Sequence, residues 1–159
     1  MTEKPIRYLV PPVAPEPDED DDESYVDYFY DAPGDLPGTL DIDPDAPPPV
    51  IVLIDYSSDR AIRQELNHPE ECFPHLDTES VSWVDVKGLG SEDVMQRLGT
   101  VFNLHPLVLE DVVNVPQRPK IEEHGDQLLI IARMVTLRED GETFESEQVS
   151  LILGRHYLL

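Results

Sequence analysis

The stretch "IEEHGDQLLIIARMVTLREDGETFESEQVSLILG", Ile121–Gly154, decides the fold. It holds three runs of strand character, "IEE", "LLIIARMVTL" and "EQVSLILG". Two short polar breaks, "HGD" and "EDGE", divide them, and both suit tight turns. A final strand begins at "HYLL". Such punctuation predicts an antiparallel meander.

Working back, "SEDVMQRLGTVFN" predicts an amphipathic helix. Ser91 is its cap and Glu92 and Asp93 occupy the positive first turn. Val94, Met95, Leu98, Val101 and Phe102 share one face. "VSWVDVKG" and "VIVLIDY" are short, β-branched and bounded by turn residues, so both read as strands. "SDRAIRQELN" between them reads as a brief helix capped by Ser58 or Asp59. Strand, helix, strand, helix and then a meander indicate an α/β domain. Its mixed β-sheet is covered by helices in an αβα sandwich.

The chain of 159 residues carries a net charge of -23, unevenly spread. Residues 1–49 hold 14 acids, 2 bases and 11 of the 16 prolines, whereas the remainder holds 20 acids, 9 bases and 5 prolines. Residues 1–35, with "DEDDDE" and a tyrosine cluster at Tyr25, Tyr28 and Tyr30, are therefore expected to be a disordered acidic Pro-rich tail. Residues 36–159 are expected to be the domain. "DIDPDA" at Asp41 has Ala46 and Val52 where a calcium loop needs glycine and glutamate, and is rejected.

Strong acidity repels phosphate, so nucleic acid is excluded as a partner and cations are favoured. The single Cys72 excludes an internal disulfide and fits a reducing compartment. His68, His75, His105, His124 and His156 do not fall at zinc spacings. No nucleophile motif or nucleotide loop is present, so no enzyme is expected. Arg118 is expected to pair with a carboxylate. The end at "RHYLL" is strand-like and apolar, and we expect the natural protein to continue beyond it.

"HPLVLEDVVNVPQRPK", His105–Lys120, predicts a short helix begun at Pro106 and stopped before Pro116, with His105 as a cap or packing residue. At 100° per residue, Val108, Leu109, Val112 and Val113 form one arc, and Glu110, Asn114, Leu107 and Asp111 the other. Adjacent acids point about 100° apart, which predicts two separate single-carboxylate contacts rather than one chelate. On pattern alone, a solvated face with one exposed leucine is the simpler account.

"FNLHPLVLEDVVNVPQRPKIE", followed by "LLIIARM" and "ESEQVSLILG", resembles the cytoplasmic domain of the CorA family of magnesium and cobalt channels. "WVDVKGLG" and "PGTL" at Pro37–Leu40 are similar to the family's earlier segments. The resemblance covers roughly residues 36–159. It implies a homopentamer at the cytoplasmic face of the inner membrane, with a stalk helix and two membrane helices that would follow Leu159. A Gly-Met-Asn motif would form the pore mouth. It further implies that Glu110 and Asp111 lie between subunits and hold weak regulatory Mg2+, or Co2+, together with acids of the stalk. The alternatives are a free-standing acidic interaction module and the domain of a zinc-exporting relative.

Overall fold

A computed structural model describes residues 38–138, 141 and 143–159. The expected tail, residues 1–35, lies outside them. Seven strands form one mixed sheet: β1 (Val50–Tyr56), β2 (Ala61–Leu66), β3 (Val81–Lys87), β4 (Lys120–His124), β5 (Gln127–Leu137), β6 (Phe144–Leu153) and β7 (Tyr157–Leu158). Their order is β2-β1-β3-β7-β6-β5-β4. β3 and β7 run parallel and every other pair antiparallel. The helices are α1 (Phe73–Leu76), preceded by a 3-10 turn at Pro69–Cys72, α2 (Glu92–Val101) and α3 (Pro106–Val113). This is the expected α/β architecture, with the meander at β4–β7.

The period of two fixes what is buried. Ile51, Leu53, Val84, Leu129, Ile131 and Ile152 face the helices and meet Met95, Leu98, Phe102, Val108 and Val113 in one core. The described helices pack on that side. On the opposite face of the sheet, Val50, Trp83, Met134 and Leu153 are each about half exposed.

One element differs from expectation. Ala61–Leu66 is strand β2, not a helix. A lone helix of that length is unstable in water, and the run has only Ile62 and Leu66 at helical spacing to bury. β1 offers it a pairing edge instead, from Ile51 against Leu66 to Tyr56 against Ala61. The turn between them is closed by Ser57 N donating to Arg60 O at 2.9 Å. The hydroxyls of Ser57 and Ser58 both donate to Asp59. Helical residues arrive later, after Asn67 N and His68 N have donated to Glu71 Oε1.

The segment before β1 crosses the β3–α2 loop at very close range. Gly90 N donates to Pro47 O, and a Cβ on Gly90 would stand 2.1 Å from Ala46 O. Only glycine permits this approach. It brings residues 38–48 past the helices and sets Gly38 beside α3.

Candidate functional site

α3 is held by both of its ends. His105 is the N-cap, its Nδ1 accepting from Leu107 N, and Pro106 takes the first turn where no N–H is needed. Val108 and Val113 are buried, and Leu109 and Val112 pack against the core. That locking fixes which side chains face outward. Leu107 stands 42% exposed, with Glu110 and Asp111 partly exposed around it.

The two acids diverge, as their spacing predicts. Glu110 Oε2 accepts a hydrogen bond from Gly38 N. Asp111 turns the other way, to β4, where Lys120 Nζ donates to its Oδ2 at 2.8 Å. The same ammonium lies 3.3 Å from Glu122 Oε2. Glu122 in turn lies 3.5 Å from His124 Nε2, and the His124 ring stacks against His105. Lys120, Glu122 and His124 alternate along β4 and so share the face turned to α3.

The electrostatics follow from this ladder. Partial burial pulls the Lys120 pKa down, but hydrogen bonds to Asp111 and Glu122 outweigh it and leave it above the ordinary lysine value. The same ammonium lowers the Glu122 carboxyl. Among the described residues, no group of three or more His, Cys, Asp or Glu side chains gathers as a metal site. Glu110 and Asp111 each offer one hard oxygen-donor group, and Asp111 already holds a cation, the tethered ammonium. Carboxylate oxygens are the donors that hard cations such as Mg2+ take.

Two other places differ in character. A shallow groove of about 470 Å³ between α2 and α3 is lined by Leu40, Gln96, Thr100, Asn103 and Leu109 among others, with no titratable side chain. Asp55 is the second. It is 1% exposed, and its Oδ2 accepts from Ser80 Oγ at 2.7 Å and Ser82 Oγ at 3.1 Å. Its Oδ1 has no hydrogen bond, with Arg60 3.8 Å away. Cys72 is a core thiol, pushed up to about 11 chiefly by burial.

Sequence reasoning missed Lys120 and Asp55. Arg118 was expected to find a carboxylate, but it is exposed and has no ion pair among the described residues; Lys120, two residues on, makes the pairing.

A model of the family described as CorA-like Mg2+ transporter protein matches residues 78–159, which include α2, α3 and the whole ladder on β4. The chain belongs to the CorA family. One relative, the cobalt/magnesium transport protein CorA of Thermotoga maritima, is 38% identical over 109 residues. That match covers 69% of this chain and 31% of the relative. The complete structure of the CorA magnesium transporter from Methanocaldococcus jannaschii aligns with a TM-score of 0.45 at 16% identity, over 69% of this chain and 31% of that one. The chain thus spans about a third of the length of these CorA proteins. No helix among its described residues is long and apolar enough to cross a membrane.

Proposed function

We propose that this chain is the cytoplasmic, magnesium-sensing part of a homopentameric CorA-type channel for Mg2+ or Co2+. In that reading, Asp111 and Glu110 face a neighbouring subunit and hold regulatory cations with acids of the stalk. The observation that carries it is the outer face of α3. A helix locked into the core by its valines presents acid, leucine and acid at the surface, in a chain of the CorA family.

The physical chemistry supports weak sensing. Mg2+ keeps most of its waters and is commonly held by one or two carboxylates. At a concentration equal to its dissociation constant, one ion stabilises the binding state by only about 0.4 kcal/mol. Gating therefore needs several sites acting together, which a ring of identical interfaces supplies. Carboxylates facing each other across an empty interface repel, and a cation between them turns that repulsion into attraction.

The test uses a longer protein that carries this domain. Asp111→Asn should shift the magnesium-dependent protection of the closed ring against protease to higher magnesium. Glu110→Gln should act in the same direction but less, because its carboxylate also ties down Gly38. An unchanged midpoint for Asp111→Asn sinks the reading.

A further inference from the structure

We propose that Lys120 is a tethered competitor for the cation at Asp111, and so sets the magnesium concentration to which the site responds. The inference rests on Asp111 being a cation ligand, as argued above, and names what regulates it.

The geometry is that of an ion already in place. The Lys120 ammonium lies between two carboxylate oxygens from different elements, Asp111 Oδ2 on α3 at 2.8 Å and Glu122 Oε2 on β4 at 3.3 Å. Both the lysine and Asp111 are about three-quarters buried, so water screens the pair only in part. A magnesium ion bound directly to Asp111 sits about 2.1 Å from the oxygen. An ammonium hydrogen-bonded to that same oxygen would then be a close like charge. On that oxygen the two cations exclude each other, and on the other they still repel at short range.

Divalent binding therefore requires the ammonium to leave, and leaving frees Glu122 as a second carboxylate on the same side. Lysine suits such a part: its charge is compact and its stem flexible, and it holds a carboxylate as a point charge rather than through a planar fork. The exposed Arg118, two residues earlier, does not reach the acid.

The experiment is a titration of this 159-residue chain with MgCl2, followed by amide chemical shifts of residues 110–123. Lys120→Met keeps the stem and removes the charge, and should lower the magnesium midpoint about tenfold. Lys120→Arg should not lower it. Lys120→Met combined with Asp111→Asn should return to weak binding. Lys87→Met, which removes a remote exposed charge, should leave the midpoint unchanged. Lys120→Gln takes the place of the methionine variant if that one fails to fold.

A Lys120→Met midpoint within twofold of the parent chain overturns the proposal. So does a gain that survives Asp111→Asn, or one that Lys87→Met reproduces. The titration involves no neighbouring subunit. Its failure would leave the interface reading to be decided by Asp111→Asn in the longer protein.

Discussion

Arg97 on α2 grips Glu70 in the 3-10 turn through a two-pronged contact: Nε donates to Oε1 at 2.7 Å and Nη2 donates to Oε2. Asp93, one helical turn before Arg97, takes the remaining nitrogen at 3.2 Å. The pair bridges 27 residues and clamps the segment after β2 to α2. Bidentate geometry makes it stronger than most surface pairs, although both side chains remain partly exposed.

That contact gives a pH signature. The Arg97 guanidinium, helped by a backbone hydrogen bond, lowers Glu70 to about 2. A depressed carboxyl contributes stability that is fully present above its unfolded value, near 4.5, and is lost as pH falls towards 2. Glu70→Gln should therefore melt slightly below the parent chain at pH 7, and the gap should close between about pH 4.5 and 2. Thermal melts across that range check it. A gap that stays constant would mean the pair is held without its charge.

A second expectation concerns the close crossing at Gly90. Gly90→Ala should cost about 1–3 kcal/mol, because the added Cβ meets backbone rather than a side chain that can swing away. The melting temperature should fall by several degrees. Urea unfolding measures the loss directly. An unchanged midpoint would show that residues 46–48 do not lie across the β3–α2 loop in solution.

How much was legible in the sequence follows from the range of each interaction. The buried faces of α2 and α3 could be read because periodicity is written within ten residues. The meander could be read because its turns are local. β2 could not, since its conformation comes from pairing with β1 rather than from its own weak propensity. Lys120 was hidden because its partner lies nine residues away, around a turn containing two prolines. Asp55 did leave a signal: the alternation of Ile51, Leu53 and Asp55 places an acid on the core face. Its partners Ser80 and Ser82 are 25 and 27 residues further on, and nothing local announces them.

Asp55 yields a third expectation. Asp55→Ala takes an acceptor from two buried serine hydroxyls, leaving Ser82 only His75 O and Ser80 only Thr78 Oγ1, which should cost about 1–3 kcal/mol. Asp55→Asn keeps an oxygen for both hydroxyls and removes a charge whose second oxygen has no hydrogen bond. It should cost less than about 1 kcal/mol. Chemical denaturation of the two variants separates the cases. Equal losses would mean that the negative charge, and not the acceptor geometry, holds this corner together.

The last expectation sets two adjacent residues of α3 against each other. Val108 is 1% exposed and packs in the core, whereas Leu107 stands 42% exposed between the two acids. Val108→Ala should destabilise the chain by about 2 kcal/mol, through lost burial and the cavity left behind. Leu107→Ala should change it by less than about 0.5 kcal/mol, because much of that side chain is already in contact with water. In the longer protein the order should reverse for assembly. On the proposed interface reading, Leu107→Ala should weaken an apolar contact between subunits and loosen the ring by sedimentation velocity. The magnesium midpoint should barely move, since no ion ligand has been touched. Asp111→Asn should do the opposite, moving the midpoint and leaving the magnesium-saturated ring less affected. If Leu107→Ala leaves sedimentation of the ring unchanged, the outer face of α3 is solvated surface. The carboxylates beside it then lose their place between subunits.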